Sequence, residues 1–109
     1  MSAVKQDQDK PRLGLIPSKA IISTGRALTY GAKPPKYNEF NYKQNGGLEW
    51  DRVYSALLRH LFAWIDGEDI DPESGLHHLD HLGACTAMLQ DLVFSKIGKD
   101  TRFTTKPPS

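Results

Sequence analysis

The second half of the chain carries an apolar stripe with the period of an α-helix. Asp51 is a good N-cap, Gly67 is a good C-terminal stop, and six apolar residues recur between them at three- and four-residue steps. No segment shows the alternation of a half-buried strand, and no internal repeat occurs. The sequence therefore predicts an all-α protein. The stripe consists of Tyr54, Leu57, Leu58, Leu61, Phe62 and Ile65.

Two further helices are predicted around this one. The first begins with Ser18 as a cap and ends at Gly31, and the third starts at Ser74 or Gly75 and runs to about Ile97. One side of the third helix is an apolar stripe, and the opposite side, which includes Asp80, is polar or small. Helices two and three should form an antiparallel hairpin, and the N-terminal helix should pack beside it. Three helices cannot cover these apolar stripes, so we expect a bundle completed by oligomerisation, as a dimer or tetramer.

The ends of the chain differ in composition from the middle. Residues 1–12 and 98–109 are polar, contain proline and have few large apolar side chains, so they are predicted to be disordered tails. The single predicted domain spans 13–97. Its first two helices are joined by a long loop, Ala32 to Leu48, and loops of this length are usually functional or disordered.

Overall composition narrows the function classes. The net charge of +1 gives no global field that would attract nucleic acid, so nucleic acid is not a predicted partner. Cys85 is the only cysteine, which fits a reducing compartment. No apolar run is long enough for a membrane span. These features predict a cytoplasmic protein.

The strongest functional signal lies between Arg59 and His81. This stretch holds all four histidines and six of the thirteen acidic residues, and Arg59 is its only Lys or Arg. Because so many like charges repel one another, the stretch would be stabilised by a bound cation. His60, Trp64 and Glu68 follow at four-residue steps, so they direct a mixed polar face of helix two toward the acidic turn.

The spacing of these residues is compatible with a divalent metal site. His78 and His81 are three residues apart and share one helix face, and carboxylates precede them on the turn. Mixed oxygen and imidazole ligands suit Mn²⁺, Co²⁺, Fe²⁺ or Zn²⁺, and Mg²⁺ if carboxylates dominate. Each residue alone also has an ordinary interpretation, as a helix-dipole partner or a core histidine. The predicted metal ligands are Glu68, Asp71, Glu73, His78 and His81.

Three segments carry a family resemblance: KPRLGLIP at 10–17, TYGAK at 29–33, and above all ALLRHLFAWIDGEDIDPESGLHHLDH at 56–81. Over roughly 10–95 the chain resembles the phage and bacterial dATP/dGTP diphosphohydrolases, a MazG-like group linked to diaminopurine-containing phage DNA. It departs from them at Pro34 and Pro35, which interrupt the loop. It also lacks the ExxE helix pattern of MazG proteins and has HxxH where an acidic pair would stand.

The resemblance implies an all-α, phage-encoded enzyme that works in the host cytoplasm. Such an enzyme cleaves between the α- and β-phosphates of a purine deoxynucleoside triphosphate and releases the monophosphate and pyrophosphate. A divalent ion, Mg²⁺ or Mn²⁺ in the first instance, would activate water for attack on the α-phosphorus. Glu68 would hold this ion, Asp69 would act as base or orient the water, and Arg59 would neutralise charge on the leaving pyrophosphate.

Substrate binding is predicted on the loop and on helix two. A loop lysine, Lys33 or Lys36, would contact the phosphates, and an aromatic side chain would stack on the purine. The substrate-binding candidates are Lys33, Lys36, Tyr37, Tyr42, His60 and Trp64, and Phe40 is a further candidate for stacking.

One alternative from a different class stays open. The chain could be a non-enzymatic phage module, a helical hairpin with mildly basic tails that binds a host protein or DNA. Its acidic turn would then be a solvated surface. Metal-dependent release of pyrophosphate from deoxynucleoside triphosphates distinguishes the two interpretations.

Overall fold

A computed structural model describes residues 8–33 and 37–103. It contains three α-helices, which we number α1 (Ser18–Gly31), α2 (Trp50–Ile65) and α3 (His78–Phe94). Short 3₁₀ turns lie at Leu13–Leu15 and Asn41–Lys43. Over these described ranges the only β pairing is two isolated bridges. The all-α prediction is therefore confirmed.

Helix α3 is the centre of the fold, because it packs against both α2 and α1. The α2–α3 pair is antiparallel. His60 near the end of α2 lies against His78 at the start of α3. At the opposite end, the indole N–H of Trp50 at the start of α2 donates to the carbonyl of Ile97 just after α3. This is the hairpin that the sequence predicts.

Helix α1 packs on the side of α3 that looks polar in the sequence. The Ser23 hydroxyl donates to the Asp80 carboxylate at 2.5 Å, and both Asp80 and Ala84 are buried. Gly83 allows the close approach, because a Cβ at this position would lie 2.5 Å from the Thr24 hydroxyl oxygen. The side of α3 with polar and small residues is therefore a second packing face.

Helix α3 begins at His78, and the predicted start at Ser74 or Gly75 is wrong. The preceding residues form a separate turn, in which the Asp71 N–H donates to the Leu76 carbonyl and the Gly75 N–H donates to the Asp71 carbonyl, both at 2.8 Å. Gly75 has a φ of +77°, which is incompatible with a helix. The His77 ring nitrogen then caps α3 by accepting from the Leu79 N–H at 3.0 Å.

The apolar core lies between the start of α2 and the second half of α3. Val53, Cys85 and Leu92 are buried together there, and Trp50 and Ile97 are among the partly buried residues packed on them. Many large apolar side chains elsewhere on the described chain stay exposed, Ile21 and Phe62 among them. The oligomer expected to cover such residues stays a prediction.

The segment after α3 closes over the start of α2. The backbone N–H of Trp50 donates to the Lys99 carbonyl, and the backbone N–H of Asp51 donates to the Thr101 hydroxyl, both at 3.0 Å. The Gly98 N–H donates to the Gly46 carbonyl at 2.9 Å. Two amides that α2 cannot satisfy internally thus find partners. The sequence predicts a disordered tail from residue 98, whereas Gly98, Lys99 and Thr101 make these specific contacts. The domain boundaries stay predictions, and 1–7 and 104–109 lie outside the described residues.

Across the described ranges, no helix has both the length and the apolar character needed to cross a membrane.

Candidate functional site

The turn between α2 and α3 pairs imidazoles with carboxylates. Buried His78 lies with Nε2 at 2.6 Å from Oε1 of Glu68 and with Nδ1 at 2.9 Å from Nδ1 of His60. Of the two facing Nδ1 atoms, one must donate and the other must accept, so a single proton lies between His60 and His78. Glu68, His78 and His60 therefore form a continuous hydrogen-bonded chain between the turn and α2.

A second pair lies beside the first. His81 Nε2 is 2.6 Å from the Ser74 hydroxyl oxygen and 3.4 Å from an oxygen of Asp71. The Ser74 hydroxyl is also 3.1 Å from Asp71 Oδ2, so Ser74 joins the carboxylate to the imidazole. The His81 ring stacks on the His60 ring at 4.6 Å between centroids, with 13° between the planes. We call this group of six residues the imidazole cluster: His60, Glu68, Asp71, Ser74, His78 and His81.

The protonation states in the imidazole cluster follow from its packing. Burial lowers the pKa of His60, and the neighbouring His81 and His78 rings lower it further. Burial alone would raise the pKa of Asp71, but the Glu73 N–H and the Ser74 hydroxyl donate to its carboxylate and bring the pKa below its ordinary value. Near neutral pH the cluster therefore combines an ionised carboxylate with a neutral His60.

The predicted metal ligands come close in pairs. Glu68 bonds to His78 and Asp71 lies beside His81, whereas Glu73 contributes its backbone N–H to Asp71. Over 8–33 and 37–103, no three His, Cys, Asp or Glu side chains form a group that could hold a metal ion. The metal site stays a prediction.

The predicted base, Asp69, lies on the turn with its side chain exposed to solvent. Its carbonyl accepts from the His78 N–H at 2.8 Å, whereas its carboxylate is 70% exposed and lies 3.9 Å from His77 Nε2. The Asp69 side chain is thus accessible beside the imidazole cluster. Its catalytic role stays a prediction.

A groove of about 1060 Å³ lies between α1, the loop at 37–48, α2 and α3. It brings together several residues that the sequence predicts for substrate binding or catalysis: Lys33, Tyr37, Tyr42, Arg59 and His81. Its described lining has three cationic side chains, Lys33, Arg52 and Arg59, against one carboxylate, Glu39. We call it the cationic groove. His81 belongs both to this groove and to the imidazole cluster.

Other predicted residues are not part of the groove. His60 belongs to the imidazole cluster, Trp64 lines neither region, and Lys36 lies outside the described residues. Their predicted roles in substrate binding stay predictions.

The loop that forms one wall of the groove is attached to α3. The Tyr42 hydroxyl donates to the Asp91 carboxylate, and the Lys43 ammonium bonds to the same carboxylate at 3.0 Å. Burial raises the pKa of Tyr42 to about 12, and the bond to Asp91 adds to the effect. The hydrogen bond from Tyr42, followed by those from Lys43 and Ser95, lowers the pKa of Asp91 to about 2. The loop is thus held to α3 by a neutral phenol and an ionised carboxylate.

Arg52 and Ser74 are residues of these two regions for which the sequence predicts no functional role. Arg52 lines the groove, and its position seven residues before Arg59, on the same helix face, was a signal available in the sequence. Ser74 bridges Asp71 and His81, but nothing in its local sequence indicates a contact seven residues away.

Comparison with known proteins identifies the family of the chain. A family model described as "dATP/dGTP diphosphohydrolase, N-terminal" matches residues 2–102. The chain belongs to this family. The match includes the whole imidazole cluster and every described residue of the cationic groove. The predicted family resemblance is therefore confirmed.

A curated relative in Salmonella phage PMBT28, named "dATP/dGTP diphosphohydrolase", is 35% identical over 81 residues. The alignment covers 74% of this chain and 26% of the relative. The chain therefore spans about a quarter of the curated relative's length. No solved structure matches the chain.

Proposed function

We propose that this chain acts in the hydrolysis of dATP and dGTP to the deoxynucleoside monophosphate and pyrophosphate. The observation that carries the proposal is the meeting of the cationic groove and the imidazole cluster at His81. The name of the phage relative supports the choice of substrate. Because the chain spans only part of that relative, its own activity is what needs to be tested.

The groove supplies positive charge for a triphosphate. Arg59 lines it together with His81, and Lys33 and Arg52 add two further cations. Cationic donors held in place stabilise the charge that accumulates on the leaving pyrophosphate as the bond to the α-phosphorus breaks. Arg59 is the proposed residue for this role, as it is in the sequence prediction.

The imidazole cluster supplies groups that can hold and move a proton. Glu68 fixes the orientation of His78, and Asp69 presents an exposed carboxylate on the same turn. We assign to Asp69 the orientation or deprotonation of the attacking water, because a carboxylate that substrate can reach is what this step needs.

A divalent ion is part of the proposal. The oxygen and imidazole donors of Glu68, Asp71, Glu73, His78 and His81 are chemically suited to Mg²⁺ or Mn²⁺. The described side chains pair with one another instead of forming a three-ligand group, and Mg²⁺ is commonly held by one or two carboxylates together with substrate phosphates. When bound, such an ion would neutralise phosphate charge and lower the pKa of water. The link to diaminopurine-containing DNA and the location in the host cytoplasm stay predictions.

Pyrophosphate release from the four deoxynucleoside triphosphates tests the proposal. The chain should release pyrophosphate from dATP and dGTP with Mg²⁺ or Mn²⁺, more slowly from dCTP and dTTP, and not at all with EDTA. Arg59→Gln should lower kcat/KM by about 100-fold or more, since a charge-stabilising donor is lost.

Arg26→Gln is the matched control, because Arg26 is exposed on α1 and does not line the groove. It should leave the rate unchanged. A chain that releases no pyrophosphate from any of the four nucleotides would contradict the proposal and would favour the interaction module instead.

A further inference from the structure

Phe40 has an unusual backbone conformation at the edge of the cationic groove. Its φ of 56° and ψ of 26° lie in the left-handed region, which a bulky residue rarely adopts because its Cβ crowds the backbone. Burial does not offset this strain, since Phe40 is 63% exposed. Strained, exposed residues beside a cavity often have a role in ligand binding.

The surroundings of Phe40 suit a heterocyclic ring. Phe40 lines the groove, as do its neighbours Asn38 and Asn41, whose side-chain amides offer both donors and acceptors. The Asn41 N–H donates to the Asn38 carbonyl at 3.1 Å, which fixes the turn that contains Phe40. The Lys43 ammonium lies 5.1 Å from the centre of the Phe40 ring and so helps to orient it.

Tyr42 has a different role from Phe40, although both line the groove. Its hydroxyl is bound to Asp91, and its backbone carbonyl accepts from the Leu48 N–H at 2.9 Å. Tyr42 therefore anchors the loop to α3, whereas the Phe40 carbonyl accepts from the Lys43 N–H at 3.2 Å within its own turn. Trp64, another predicted stacking residue, does not line the groove.

The charge of the groove indicates the rest of the ligand. Arg52 and Arg59 lie on one face of α2, two turns and about 10 Å apart along the helix axis. Together with Lys33 they outnumber the single described carboxylate of the lining, Glu39. This arrangement complements a nucleotide: the base would lie against the aromatic side chain at one edge, and the phosphates would lie along the cationic wall.

We infer that Phe40 is the platform on which the purine base stacks, and that the phosphates extend along α2 toward His81. This inference rests on the proposed function, since it takes a purine nucleotide as the ligand. It explains the strained backbone: the left-handed conformation holds an apolar ring at the groove edge, where burial alone would not keep it. Tyr42 keeps the loop in place while Phe40 contacts the base.

Calorimetric binding measurements on the full chain test the inference. The probes are the α,β-methylene analogues of dGTP and dATP, which have no cleavable α–β bridge, and inorganic triphosphate, which has no base. Phe40→Ala should weaken binding of both analogues by about 5- to 150-fold, the range for loss of one base–aromatic stack. Binding of inorganic triphosphate should not change, and Phe40→Trp should restore analogue affinity.

Two further variants separate stacking from a structural role. Phe40→Gly should weaken analogue binding as Phe40→Ala does, but it should also raise the melting temperature, because glycine adopts the left-handed conformation without strain. Phe94→Ala is the matched control, since Phe94 is also exposed and does not line the cationic groove. It should leave analogue affinity unchanged.

The outcomes distinguish this inference from the proposed function. Wild-type affinity for the analogues in Phe40→Ala would overturn the inference and leave the proposed function intact. Equal weakening of analogue and triphosphate binding would also overturn it, since Phe40 would then support the groove as a whole. A wild-type chain that binds neither analogue would overturn both.

Discussion

The two ends of the α2–α3 contact are built from different chemistry. At one end, Val53, Cys85 and Leu92 form an apolar core. At the other end the same two helices meet through His60 and His78, and the adjoining turn adds carboxylates. Apolar burial stabilises a fold at any pH, whereas buried polar groups cost free energy unless they are paired. We therefore expect most of the stability to come from the first end, and the proposed chemistry to take place at the second.

The largest stability effect should come from the apolar end. Leu92 is fully buried, so Leu92→Ala should lower the free energy of unfolding by about 2–5 kcal/mol. That is a large fraction of the total for a domain of this size. Urea denaturation followed by far-UV circular dichroism measures it. Leu79→Ala, at a residue 38% exposed on the same helix, is the control and should cost much less. Equal losses would mean that the core is not at this end.

The largest activity effect should come from the polar end. Glu68→Gln removes the carboxylate that holds His78, so the rate of pyrophosphate release should fall by about 100-fold or more. Stability should change little, because the Glu68 side chain is 53% exposed. Glu49→Gln, at an exposed position before α2, is the matched control. A near-normal rate in Glu68→Gln would contradict a role for Glu68 in catalysis.

A smaller effect should be a dependence of the free energy of unfolding on pH that comes from the polar end and not from the apolar end. The pKa of His60 is lowered in the folded state by burial and by the two neighbouring imidazoles, so the unfolded chain takes up its proton first, near pH 6.5. Stability from this group is therefore complete above about pH 6.5 and is lost as pH falls through the lower folded pKa. The lowered pKa of Asp71 adds a loss only near pH 4 and below.

Urea denaturation between pH 8 and pH 5, in EDTA, measures this difference. His60→Gln should flatten the loss of stability on acidification, whereas Leu92→Ala should lower stability by the same amount at each pH. If His60→Gln keeps the wild-type slope, the pH dependence originates elsewhere in the molecule.

The sequence predicts helices well where one face alone is buried. α2 has a clear apolar stripe, and its predicted extent differs from the structure by a residue or two. α3 is harder to interpret, because its second buried face is made of Asp80, Gly83 and Ala84, which resemble a solvent-exposed side. Only the neighbouring α1, with Ser23 and Thr24, accounts for those residues. The sequence predicts the turn before α3 as part of the helix, because Asp, Glu and Ser also begin helices.

The candidate site was predictable as a region but not as a set of contacts. Acidic residues and histidines concentrated in one stretch identify the turn, and the three-residue step places His78 and His81 on one face. The bond from His78 to His60 depends on how α2 and α3 pack, and the Ser74 bridge depends on the shape of the turn. The cationic groove depends on the fold of the 37–48 loop, which has no periodic pattern.

The segment that closes over the start of α2 has a consequence for the order of folding. The bond between the Asp51 N–H and Thr101 joins residues 50 positions apart, so it forms only after the chain has closed a loop of nearly half its length. Loops of this size close at an entropic cost, and contacts between distant residues slow folding. We therefore expect α3 to pair with the later turns of α2 first, and the first turn of α2 to become stable only when the segment after α3 arrives.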